Sequence, residues 1–263
     1  VLSKRETVTP PAVVERLLRA AGPDVVLVGG QALAVWVHRY GLAIPDGVAV
    51  ITAELDFLTQ SAGDRKTVIA FAKALHGATH FPNIRSLTAL VGQAYLDISA
   101  DEYLNVDVIF DVLGIPADAV LARSVAVVSK QAGTFLVMHP LHVLRSRVVN
   151  LYKLPDKQNE KGCMQLAMAI DVARAFVREA AASCATAELA SGRSVIQRHV
   201  ADIECLALED AGRKVAVRHG LHVADAIDPS LIPAGPFWIK KWPTLEKLMS
   251  VPYANGFADP SAS

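Results

Sequence analysis

Cysteine is scarce in this chain and follows no pairing pattern. Cys163, Cys184 and Cys205 are odd in number, far apart and without a CxxC spacing. That excludes a disulfide framework and a spaced zinc site, and predicts buried structural thiols. No apolar run reaches the roughly 18 residues that a membrane helix requires. The opening "VLSKRETVTPPAVVERLL" has no basic start, apolar stretch and small-residue cleavage site, so no secretory leader is read there and a cytoplasmic protein is expected. Excess charge is missing too. The 26 Lys and Arg balance 26 Asp and Glu, with a pI near 7.2. A global electrostatic grip on nucleic acid is therefore not indicated, although a local basic groove stays open. GxGxxG, GxxxxGK[ST] and GxSxG are all absent. With them go the dinucleotide fingerprint, the P-loop and the nucleophile elbow.

What is present is apolar. Hydrophobic residues make up 52% of 263 residues and the mean hydropathy is +0.32, enough for a sizeable core in one large domain or two modest ones. Pro10-Pro11 precede the amphipathic run "AVVERLLRAAG", closed by Gly22. "DVVLV" (24–28) reads as a buried strand, and "QALAVWVHRY" as a helix stopped by Gly41. "AELDFLT" (53–59) alternates as a strand, and "GDRKTVIAFAKALHG" is a helix with Asp64 as N-cap and Gly77 as stop. From Ala78 to about Val137 the pattern is β, through "AYLDIS", "YLNVDVIFDV", "SVAVVS" and "TFLVM". After His139 it is helical, with the polar, breaker-rich "PDKQNEKG" as a loop. The expected fold class is α+β: a mixed sheet flanked by helices over residues 1–138, then a helical bundle over 139–263.

Two glycines in a row, Gly29 and Gly30, stand where the strand hands over to the helix. One suffices for a turn; two suggest a close approach to the backbone. Further on, Glu54 and Asp56 lie two apart on a strand and share a face, with Leu55 and Phe57 on the other. In "YLNVDVIF", Asp107 opposes Val106, Val108 and Phe110. A carboxylate among such neighbours costs stability unless it is solvated, at a strand end or holding a cation. Asp97 and Asp111 compete for the third acidic position; "NVDVIF" is the setting that best matches a central strand. Three carboxylates converging from one side of a sheet offer the hard oxygen ligands that Mg²⁺ selects. A glycine-opened helix N-terminus beside them would favour a triphosphate.

These segments resemble the nucleotidyltransferases of the DNA polymerase beta type, and most closely their minimal bacterial branch, which includes the AbiEii-type toxins of toxin–antitoxin systems. "LVGGQALAVW" is similar to the family's Gly-Gly helix opening, "TAELDFL" to its acidic-x-Asp strand and "LNVDVIF" to the strand of the third carboxylate. The resemblance implies Mg²⁺-dependent transfer of a nucleoside monophosphate from an NTP, with loss of pyrophosphate. It implies that Gly29, Gly30 and Gln31 hold the triphosphate, that Glu54, Asp56 and Asp107 hold the metal, and that Asp107 helps deprotonate the acceptor hydroxyl. It further implies that Arg147, Lys153 and Lys157, on helices after the catalytic module, assist nucleotide binding. The acceptor is a tRNA end, a protein side chain or a small molecule such as an aminoglycoside, with the toxin-like branch pointing to a macromolecule and to an antitoxin partner.

The chain departs from the family pattern at Glu54, where Asp is usual, and in the 24 residues from Gly30 to Glu54, which imply an inserted loop. Glu54 keeps a rival reading open: a nucleotidyltransferase-shaped module that binds a nucleotide or partner without transfer. His139 and His142 have no third ligand in sequence and read as core-edge or capping residues. "PFWIKKWP" reads as Trp238 and Trp242 packed on the core with Lys240 and Lys241 facing water.

Overall fold

Period-two burial sets the central strands. In β3 (Leu55–Leu58), Leu55 and Phe57 are 0% and 1% exposed, while Asp56 between them is half-buried. β6 (Glu102–Ile109) repeats this with buried Val106 and Val108 around half-buried Asp107. The computed structural model describes residues 4–44, 55–83, 85–183, 195–231 and 239–250. Glu54, Cys184 and Trp238 lie outside the described residues, as does most of the expected loop before β3.

The chain divides between Asn150 and Leu151 into two units. That point falls inside α5 (Pro140–Lys153), beyond the change of texture at His139. The first unit holds a mixed eight-stranded sheet. Besides β3 and β6 it contains β1 (Arg5–Glu6), β2 (Val26–Val28), β4 (Ala78–His80), β5 (Leu90–Asp97), β7 (Val125–Ser129) and β8 (Gly133–Val137). The strand order is β4-β5-β6-β3-β2-β8-β7, and β1 pairs with the start of β6 in the lane that β3 occupies further on. β3 runs parallel to β6 and antiparallel to β2.

Helices cover the apolar face. α1 (Pro11–Ala20) packs on α3 (Arg65–Leu75), and α3 on β4, β5 and β6. Phe71 of α3 meets Phe57 of β3 with ring centroids 4.5 Å apart. Burying such a ring contributes about 1.5–3 kcal/mol. Asp64 caps α3, its carboxylate accepting from the Thr67 N–H at 3.3 Å and the Thr67 hydroxyl at 2.7 Å. α2 (Gly29–Arg39) follows β2 without a linker, so Gly29 and Gly30 form its first turn rather than preceding it. Gly41 closes it with φ +60°, as the C′ pattern predicts.

Three features depart from the sequence reading. His76, not Gly77, takes the left-handed position after α3, with φ 58°. Gly77 serves another purpose: a Cβ there would lie 2.0 Å from the Tyr95 carbonyl oxygen. A short α4 (Ala117–Arg123) interrupts the β region after Pro116. The last helical run is two helices, α7 (Val195–Leu208) and α8 (Asp210–His219), broken at extended Glu209. Gly212 lets α8 start hard against α7, since a Cβ would stand 2.1 Å from the Leu206 carbonyl.

The second unit is helical. α6 (Glu160–Ser183) buries Leu166, Ala169, Ala173 and Val177; α7 buries Val200 and Ile203; α8 buries Val215. Arg174 of α6 donates to the Asp225 carbonyl at 2.8 Å, tying down the turn after α8. The thiols differ from expectation: Cys205 is exposed and Cys163 half-buried, its sulfur 3.6 Å from His219 Nδ1. Cys205 lies between inward-facing Glu204 and Leu206 on α7, so the helical period turns it outward. Among the described residues no helix is long and apolar enough to cross a membrane.

Candidate functional site

Asp56 and Asp107 are register partners in the parallel ladder of β3 and β6. Side chains at paired positions project from the same side of a sheet, here opposite the side that α3 covers, from backbones about 4.8 Å apart. Asp56 is also the register partner of Val28, the last residue of β2. That brings its carboxylate to the first turn of α2.

The contact with α2 is close. Gly29 has φ +66°, and a Cβ on it would lie 2.0 Å from Asp56 Oδ2. Both the backbone angle and the space demand glycine. The carboxylate thus sits where unsatisfied helix N–H groups and the positive end of the helix dipole favour an anion, worth about 0.3–1 kcal/mol at an exposed end. Val28 at the N-cap supplies no side-chain cap. Gly29 therefore admits a protein carboxylate, where the sequence reading assigned it the approach of a phosphate. Gly30 and Gln31 are buried in the same turn.

Asp107 is held by amides. Asn105 Nδ2 donates to its Oδ1 at 2.7 Å, and Gln93 Nε2 of β5 donates to the same oxygen at 2.9 Å. Asn105 is only 4% exposed, so its rotamer is fixed by packing. Neither amide was singled out in sequence. Asn105 carried a signal, standing two residues before Asp107 and hence on its face. Gln93 carried none without the register that pairs it with Asp107.

Of the competing carboxylates, Asp97 forms an ion pair with Lys4 at 2.8 Å. Asp111 is exposed beyond the end of β6. Glu54 lies outside the described residues, and among those residues no group of three His, Cys, Asp or Glu could hold a metal. Arg147 is buried on the part of α5 in the first unit. Lys153 and Lys157 belong to the second unit, Lys153 exposed and Lys157 3.4 Å from Asp156 in the turn that follows α5.

The remaining candidates have structural partners. His139 stands before α5 and its Nδ1 accepts from the Leu141 N–H at 3.2 Å. It caps that helix, with the His142 ring edge-on to it at 5.9 Å. Lys241 does not simply face water: its ammonium reaches both oxygens of buried Glu204 at 3.0 Å. Trp242 is half-buried and Lys240 exposed.

No family model matches the chain, and no curated protein matches it.

Proposed function

We propose that the chain is a nucleotidyltransferase that moves a nucleoside monophosphate from an NTP to an acceptor hydroxyl, with Mg²⁺ and release of pyrophosphate. One observation carries the reading: Asp56 and Asp107 stand in register on the face of β3 and β6 opposite α3, beside the glycine-opened start of α2. Two carboxylates without nitrogen or sulfur donors are the oxygen chemistry that Mg²⁺ accepts, since it commonly takes one or two carboxylates and completes its shell with water and phosphate. When bound, the ion would neutralise phosphate charge along the reaction path. The protein's part is orientation and electrostatics, because in-line phosphoryl transfer asks little covalent help. Asp107, fixed through one oxygen by Asn105 and Gln93, presents a set carboxylate to an acceptor proton. The resemblance alone adds Glu54, outside the described residues, as a third oxygen ligand, and an antitoxin partner for the toxin-like form of the reading.

A second reading is favoured by the Gly29–Asp56 contact. The end of α2 already has its anion, which suits a related scaffold that binds a partner and transfers nothing. Calorimetry of the four NTPs with Mg²⁺, on wild type and Asp56→Ala, separates the two. Metal-dependent binding that is lost in the variant supports the transferase. Folded wild type that binds no NTP at all favours the scaffold.

A further inference from the structure

Two side chains of the second unit meet away from the carboxylate pair. Cys163 of α6 and His219 at the end of α8 bring sulfur and Nδ1 to 3.6 Å, within hydrogen-bond reach for the larger sulfur atom. A neutral thiol has one proton to give, so Cys163 donates and Nδ1 accepts. The opposite ring nitrogen, Nε2, is buried and has no hydrogen-bond partner among the described residues. Leaving a buried nitrogen unpaired costs free energy. The fold thus holds the imidazole against the thiol at the expense of its other nitrogen. An orphaned group of that kind calls for a reason, and a proton-accepting role for the ring is one.

The place of the thiol on α6 adds to this. Asn159 caps the helix: its side-chain oxygen accepts from the Gly162 N–H at 2.9 Å, and its carbonyl from the Cys163 N–H at 3.0 Å. Cys163 therefore stands in the first turn of a 24-residue helix. Side chains lean toward the N-terminus of their helix, where the dipole stabilises negative charge developing on sulfur. Cys163 is half-buried, which leaves it open to a small reagent. Charges around the pair are mixed, with Glu160 one turn before Cys163 and Arg218 beside His219, so they select no ion of one sign. Cys205 gives the contrast within the same unit, exposed on α7 and without an imidazole contact among the described residues. By exposure alone Cys205 would be the faster thiol.

We infer that Cys163 and His219 form a reactive thiol–imidazole pair, a modification site for small disulfides that stands apart from the transferase reading. His219 Nδ1 takes the thiol proton as the Cys163 sulfur attacks one sulfur of the disulfide. A new sulfur–sulfur bond forms, the old one breaks, and the leaving thiolate recovers the proton from the ring. Cys163 ends as a mixed disulfide and half of the reagent as a free thiol, so the exchange needs no other oxidant.

The test uses the full chain and hydroxyethyl disulfide, an uncharged probe, near neutral pH. Acid quenching and peptide mass mapping give a separate rate for each cysteine, Cys184 included. Cys163 should react at least about tenfold faster than Cys205 in native wild type, a modest share of what a positioned base supplies. The excess should vanish in urea, which separates the pair. It should vanish too in folded His219→Gln, which keeps a polar side chain but cannot take the proton, while the Cys205 rate stays the same. Native Cys163 reacting no faster than Cys205 overturns the pair, and so does an excess that survives in folded His219→Gln. Should that variant fail to fold, loss of the excess in urea still supports the pair and its persistence there overturns it.

Discussion

Gly29 and Asp56 compete for one space: a Cβ on the first would stand 2.0 Å from Oδ2 of the second. Gly29→Ala carries two penalties. A left-handed φ of +66° costs a non-glycine residue about 1–2 kcal/mol, and the carboxylate must also move. The variant should lose at least about 2 kcal/mol of stability in denaturant titration. In an Asp56→Ala background only the backbone part should remain. Equal costs in the two backgrounds would show that the contact carries no energy.

Asn105 makes a hydrogen bond to a carboxylate from a 4% exposed position. Asn105→Ala should cost about 1.5–3 kcal/mol, the range for bonds to charged groups. It should also weaken any Mg²⁺–NTP complex by freeing the Asp107 rotamer. A melting temperature and NTP affinity both matching wild type would remove Asn105 from the site.

His76 is exposed and holds φ 58° at the end of α3, a conformation glycine adopts without penalty. His76→Gly should therefore stabilise the protein, by about 0.5–1 kcal/mol against the wild type. Thermal unfolding decides it. A lower melting temperature would mean that the imidazole contributes more than the strain costs.

Asp228 supplies a pH dependence in the second unit. Burial alone would raise its carboxyl, but hydrogen bonds from Ser230 and Arg178 and the guanidinium charge outweigh that and hold it below the ordinary value. A carboxyl depressed in the folded state adds stability above its unfolded pKa, near 3.9, and loses it as pH falls through the folded value. Arg178 is largely exposed, so screening limits the contribution to about 1 kcal/mol or less. Wild type should exceed Asp228→Asn in stability at pH 7, with the gap closing as the pH drops below about 4. A gap that stays constant with pH would assign the difference to packing instead.

Local grammar was legible and distant pairing was not. Asp64 could be read as a cap because its partner, Thr67, is three residues away. Alternation placed Asp56 and Asp107 each opposite an apolar neighbour, since period two is a property of one strand. Their pairing depends on the β3–β6 register, which no window of sequence contains. The same limit hid the Gln93–Asp107 bond and the groups that crowd Gly29 and Gly77, Asp56 and the Tyr95 carbonyl, both distant in sequence. The break at Glu209 escaped because both flanking helices keep the same period. α4 escaped because seven residues are too few to declare one.

β6 is bordered by a near neighbour and a far one. Its hairpin with β5 closes after a few residues, whereas the Arg5 side chain reaches Glu102 across a separation of 97. Closing a long loop costs chain entropy that a two-residue strand barely recovers. On that ground the β5–β6 hairpin is expected to form early, and β1, with Lys4 beside it, to dock late. The Asp107 end of β6 would then be built on the more durable part of the fold, and the Lys4–Asp97 end would be first to open and first to exchange its amide protons.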